Sequence, residues 1–141
     1  MDIKFKILNH LAKLPSQANK GDAGLDLHCV EGFELEANAR ALIPLGFAVE
    51  VPSGYAMIIK DKSGLALNYG VTVLGGVIDS SYRGEVKVIL QNLGDKVKSF
   101  ESGDKVAQAL VLNVEDNIRP VPVTKLSSSN RGDGGFGSTG K

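Results

Sequence analysis

The sequence predicts an all-β domain, a jelly-roll-like β-sandwich or barrel with one short helix and a flexible C-terminal arm. Three observations predict it. Apolar and polar residues alternate in short runs, the period of a strand with one wet face. Glycine is abundant, at 17 of 141 residues, and sits between those runs where turns are needed. No stretch carries the apolar spacing of a long amphipathic helix, and no repeat of fixed period is present.

The elements follow in chain order. Ile3, Phe5 and Ile7 alternate with Lys4 and Lys6 and predict a strand wet on one face. Residues 15–21 read as a polar loop. Leu25, Leu27 and Cys29 alternate with Asp26 and His28, a second strand. Ile43, Leu45, Phe47, Val49 and Val51 predict a long strand that Pro52-Ser-Gly54 ends, and Tyr55, Met57 and Ile59 predict its return. The turn residues between these two runs read as a hairpin. Ser63 to Asn68 is the short helix, with Ser63 as its cap and Gly70 as its stop. Val71 and Val73 begin a strand that Gly75-Gly76 breaks. Val86, Val88 and Leu90 form the next, then Val106, Gln108, Leu110, Leu112 and Val114, then a short one around Val121 to Val123. From Leu126 the chain is Ser- and Gly-rich, which divides it into a β-fold at 1–126 and an arm at 127–141.

Composition excludes several classes. The length fits one domain with a core of its own. Formal net charge is zero, so there is no electrostatic footprint for a nucleic-acid polymer or an anionic membrane. A few local cations still suffice for a nucleotide. Cys29 is the single cysteine, which rules out an internal disulfide and disfavours a cysteine-based zinc site. No apolar run reaches membrane length and no signal-peptide pattern opens the chain, so the expected location is cytoplasmic, or nuclear for a eukaryotic source.

Five segments carry candidate chemistry. The tail, Arg131-Gly-Asp-Gly-Gly-Phe136-Gly137-Ser138-Thr139-Gly-Lys141, sets a guanidinium, an aromatic ring and two hydroxyls in glycine. Arginine's planar fork suits phosphate, Phe136 offers a stacking face, and Ser138 and Thr139 with glycine N–H groups can line an anion nest. It also reads as a plain flexible terminus or linker. Gly76-Val77-Ile78-Asp79, followed by Tyr82-Arg83-Gly84, places an acid after an apolar pair, where it can accept a proton from water, and a ring that can pack on a sugar. An ordinary β-turn is the competing reading. Lys62-Ser63-Gly64-Leu65-Ala66 is a phosphate seat at a helix start or a simple N-cap. Ala23-Gly24-Leu25-Asp26-Leu27 holds an acid among apolar neighbours, and Gly103-Asp104-Lys105-Val106-Ala107-Gln108 holds a glutamine that must bond either in the core or to a phosphate.

These five segments, in this order and across about residues 3 to 140, resemble the marker motifs of the trimeric deoxyuridine triphosphate nucleotidohydrolases, the dUTPases. The resemblance implies hydrolysis of dUTP to dUMP and pyrophosphate with magnesium, which limits uracil in DNA and supplies dUMP. It implies that Asp79 activates the water attacking the α-phosphorus, and that Tyr82 packs on deoxyribose and leaves no room for a 2′-hydroxyl. Uracil would be read by backbone groups between Gly76, Val77 and Ile78 and near Lys87. Lys62, Ser63, Gly64 and Gln108 are expected on the phosphates from a different subunit of a homotrimer. Arg131 would meet the γ-phosphate, Phe136 would stack on uracil, and Gly137, Ser138 and Thr139 would close on the phosphate chain from a third subunit. Magnesium would be held by phosphate oxygens and water, with Asp26 either holding one such water or serving as a structural acid.

The chain departs from the pattern in places. Lys62 stands where the family usually has arginine, Ser81 where many members have an acid, and Asn68 where many have lysine. The stretch Val71 to Gly76 is short and lacks the asparagine of many bacterial members. The rival enzyme, a dCTP deaminase of the same fold, needs a glutamate beside the pyrimidine, and the third segment offers only Glu85. A non-catalytic nucleotide sensor on this scaffold is the rival of another class.

Overall fold

A computed structural model describes residues 1–138. Ten strands and one helix follow in order: β1 Lys4–Ile7, β2 Leu25–His28, β3 Phe33–Leu35, β4 Arg40–Glu50, β5 Tyr55–Lys60, α1 Ser63–Tyr69, β6 Val71–Leu74, β7 Val77–Ile78, β8 Glu85–Asn92, β9 Lys98–Phe100 and β10 Lys105–Asn113. They form two four-stranded antiparallel sheets, β1-β4-β8-β6 and β2-β10-β5-β7, with β3 and β9 paired as a separate ribbon. One core lies between the two sheets. Phe47, Leu45, Val86, Val88 and Leu90 enter it from the first, and Leu27, Met57, Ile59, Ala107 and Ala109 from the second. The all-β sandwich with one short helix is the architecture the sequence predicts. No helix among the described residues is long and apolar enough to cross a membrane.

Strand β8 shows the alternation most clearly: Val86, Val88 and Leu90 are buried while Lys87 points to solvent. In β4 the run Leu45–Val49 is buried on both faces. The outer face is covered by the loop after β1, where the Leu8 and Asn9 N–H groups both donate to the Gly46 carbonyl.

Several expectations need correction. The runs on either side of Pro52–Gly54 are not a hairpin. β4 pairs with β1 and β8, whereas β5 pairs with β10 and β7, so the turn passes the chain from one sheet to the other. Turn chemistry specifies the reversal but not the pairing partner. Ser63 is not the helix cap; that position is Lys62, which makes no side-chain capping bond, and left-handed Gly70 ends the helix as expected. In β10 the inward residues are Val106, then Ala107 and Ala109, after a register shift between Lys105 and Ala107. Leu112, expected on the core face, is exposed. Ala109 lies opposite Ile59 and Ala107 opposite Leu27, so small side chains fill the core beside these larger neighbours while Leu112 stays outside. Asp26, which alternates with the apolar residues of β2, is buried as well. No strand forms at Val121 to Val123, whose side chains are exposed; the segment has no partner strand among the described residues.

Candidate active site

Strands β6 and β8 are neighbours, with Leu74 opposite Ile89. The chain between them makes a long excursion. After Gly75 it crosses to the second sheet, where β7 pairs with β5 (Val77 opposite Ile58), then turns back through Asp79–Gly84. Gly76 makes that crossing possible. Its φ is +100°, and a Cβ there would lie 2.8 Å from the Ile59 carbonyl oxygen. The Gly76 carbonyl in turn accepts the Ile59 N–H at 2.7 Å.

The excursion leaves an open cleft of about 380 Å³ between the sheets' edges. Gly76, Val77, Ile78, Tyr82 and Lys87, all expected at the base and sugar, line it together with Val73, Glu85 and Ile89. Its size and largely apolar walls suit a single flat heterocycle with its sugar. The Asp79–Tyr82 turn at its edge is tightly braced. The Tyr82 N–H donates to the Asp79 carbonyl at 3.1 Å, and Arg83 Nη1 donates to the carbonyls of Ser80 and Tyr82 at 2.6 and 2.8 Å. The Tyr82 hydroxyl donates to the Glu85 carbonyl at 2.9 Å. Asp79 itself is exposed, and its carboxylate accepts no hydrogen bond among the described residues.

A second cluster is built on the other sheet. In the register of β2, β10 and β5, Gln108 lies opposite Asp26 on one side and Lys60 on the other. Asp26 is 4% exposed, and its two oxygens meet Lys62 Nζ at 2.5 Å and Lys105 Nζ at 2.7 Å. Burial raises its pKa, but the hydrogen bonds and charges of Lys105 and Lys62 together outweigh that and hold the carboxyl below its ordinary value. Asp26 thus fixes two ammonium groups on this face of the sheet.

Gln108 donates from Nε2 to the Asp61 carbonyl at 2.7 Å, so its amide is satisfied at the sheet surface rather than in the core. The Asp61 carboxylate reaches across to β6, accepting the Val73 N–H at 2.7 Å and the Thr72 hydroxyl at 2.8 Å. That clasp ties the start of α1, with Lys62, Ser63 and Gly64, to a wall of the cleft. Lys105 and Asp61 had no assigned role in the sequence. Lys105 lies within the Gly103–Gln108 segment, but only folding brings it to Asp26. His28, opposite Lys105, has a buried Nδ1 without a partner. Burial first, then the charge of Lys13, holds its pKa below that of an ordinary histidine.

The two clusters stay separate within one chain: Lys62, Ser63, Gly64 and Gln108 do not line the cleft, and neither do Arg131 or Phe136. Residues 114–133 are exposed throughout. Beyond them the tail bonds to itself, Arg131 Nε to the Gly134 carbonyl at 2.8 Å and the Ser138 N–H to the Gly135 carbonyl at 3.0 Å. Phe136, at φ +50°, is fully exposed, and Gly137 beside it has φ +92°. Thr139 lies outside the described residues. Among those residues no three His, Cys, Asp or Glu side chains converge on a metal-sized site.

Comparison with known proteins places the chain in a family. The dUTPase family model matches residues 10–140. The deoxyuridine 5′-triphosphate nucleotidohydrolase of Wolinella succinogenes is 44% identical, covering 100% of this chain and 95% of the relative. That of Hydrogenobaculum sp. is 46% identical over 99% of both. Among solved structures, a mutant of the Staphylococcus bacteriophage 80alpha dUTPase with dUpNHpp superposes with a TM-score of 0.92 at 24% identity, over 99% of each chain, a likeness of fold. A family model spanning most of the chain, and relatives above 40% identity along its whole length, establish that the chain belongs to the dUTPase family.

Proposed function

We propose that the protein is a dUTP diphosphatase that hydrolyses dUTP to dUMP and pyrophosphate by water attack on the α-phosphorus. The observation that carries the reading is the exposed, unpaired Asp79 on a braced turn beside a cleft sized for a nucleoside. A carboxylate free of hydrogen-bond partners is available to take a proton from water. Tyr82, held by Glu85, would meet the deoxyribose. The N–H groups and walls around Gly76, Val77 and Ile78, with Lys87 opposite, would enclose uracil, and a narrow pocket would exclude thymine's methyl group. Cytosine would bring a donor where uracil brings an acceptor, and a site with a fixed donor rejects such a mismatch strongly.

Lys62, Ser63, Gly64 and Gln108 would bind the phosphates, and in this reading they serve a different site from the cleft of their own chain. That division, with the exposed apolar Leu112, Val121, Val123 and Leu126, supports a homotrimer with shared sites. Arg131, Phe136, Gly137, Ser138 and Thr139, in an arm spanning 127–141, would close over the triphosphate and base. Magnesium would arrive on the triphosphate oxygens, where it neutralises charge on the substrate. The chain's own contribution is to position the phosphates, orient the water and exclude other water.

The test is pyrophosphate release in the presence of magnesium from dUTP, dCTP, dTTP and UTP at equal concentration. Release from dUTP alone is the expected result. Ammonia release from dCTP would move the chain to deaminase chemistry, and tight dUTP binding without turnover would make it a sensor.

A further inference from the structure

Gly84 has no role in the reading above, yet it sits under the ring of Tyr82. A Cβ built at Gly84 would lie 2.5 Å from the Tyr82 hydroxyl, 2.7 Å from Cζ and 3.1 Å from Cε2. Those three atoms are its nearest neighbours, and all belong to one side chain. Gly84 is not among the left-handed glycines, so alanine meets no backbone strain from a positive φ there. What its missing side chain provides is room for the tyrosine to fold back over the turn. In that pose the hydroxyl reaches the Glu85 carbonyl and the ring forms part of the cleft wall.

We infer that Gly84 is a positioning residue that sets how far the Tyr82 ring stands from the sugar, and so determines selectivity for 2′-deoxy over 2′-hydroxy nucleotides. The inference rests on the proposed role of Tyr82 against deoxyribose. A ring anchored at its hydroxyl end and seated on a bare Cα has a fixed depth. A methyl group at Gly84 occupies space the ring now fills. The ring must lift, the bond to Glu85 is lost, and close packing on deoxyribose goes with it. A loosely held ring cannot discriminate on a single oxygen atom, because that discrimination depends on a wall that does not yield.

The experiment compares kcat/KM for dUTP and UTP in the wild type, Gly84→Ala, Tyr82→Ala and the double variant. Gly84→Ala should lower the dUTP/UTP ratio by about tenfold or more, the scale of a change of one methylene in a pocket. The fall should come mainly from KM for dUTP. In the Tyr82→Ala background, adding Gly84→Ala should change nothing further, since its near neighbours are gone. If Gly84→Ala alone unfolds, the double variant should recover thermal stability, because the same clash would be the cause. An unchanged ratio overturns the inference, as does an equal loss for both nucleotides or an additive double variant. A wild type that does not prefer dUTP over UTP would instead sink the proposed role of Tyr82, a result the first arm of the comparison reports by itself.

Discussion

The body of the site and its tail are held in opposite ways. On the sheets, several polar groups around the candidate site are bonded to one another before any ligand arrives. Asp26 holds Lys62 and Lys105, Asp61 holds β6, its carbonyl holds Gln108, and Arg83 and Glu85 brace the turn that carries Asp79 and Tyr82. Among its described residues the tail bonds only within itself, and Phe136 is bare to solvent. The difference divides the work of recognition. The sheet-borne groups are preorganised and lose little entropy when substrate binds. On the function proposed above, the tail would be ordered by the substrate, and its glycine-rich chain would make closure costly for a ligand that lacks either a base or a triphosphate.

Three perturbations would break or sharpen that contrast. The largest effect is expected on the braced turn. Asp79→Asn keeps size and shape and removes the base, so turnover should fall by about 100- to 10,000-fold. Affinity for a non-hydrolysable dUTP analogue should hold, as measured by calorimetry. Near-normal turnover would mean that the acid is not the general base.

Removing residues 130–141 should cost less, on the order of 100-fold in kcat/KM, the scale of lost positioning. The melting temperature should not move, because none of residues 130–138 is buried in the core. A large drop in melting temperature would show that the tail is part of the body after all.

The smallest effect on turnover is expected at Asp26, where stability should respond instead. Asp26→Asn leaves two ammonium groups without a carboxylate and should lower unfolding free energy at neutral pH by about 1–3 kcal/mol. Lys105 is half exposed, which keeps the figure below that of a fully buried pair. The folded carboxyl titrates below its unfolded value of about 3.9, so its contribution is complete above that pH. It is lost as pH falls through the lowered folded value. The gap between wild type and variant in urea unfolding should therefore begin to narrow below about pH 4 and go on narrowing as pH falls; a gap that stays constant on further acidification would mean the destabilisation is not electrostatic.

Legibility in the sequence tracks the range of the interaction. Long alternating runs announced β1, β2, β4, β5, β6, β8 and β10, and Gly70 marked the end of α1 where it occurs. The two- and three-residue strands β3, β7 and β9 are too short to display a period. Pairing was illegible: nothing in Pro52-Ser-Gly54 says that β5 will leave β4 for β10. In the site, the residues of the cleft are close in sequence and were read together. Lys62 and Lys105 reach Asp26 from 36 and 79 positions away, and only the register of the second sheet brings them there. In β10 the eye follows large residues, while the core takes the alanines.

The place of β10 has a consequence for how the chain is made. It is the last strand, yet it lies between β2 and β5 and joins them. Lys105 pairs with His28, and Gln108 with Lys60, so neither earlier strand has its main partner until Asn113 has left the ribosome. Half of the sandwich must therefore assemble in a late step that closes long loops, which places the protein among slow folders. Until then the strand edges of β2 and β5 stay open, and the nascent chain is at its most aggregation-prone just before β10 emerges.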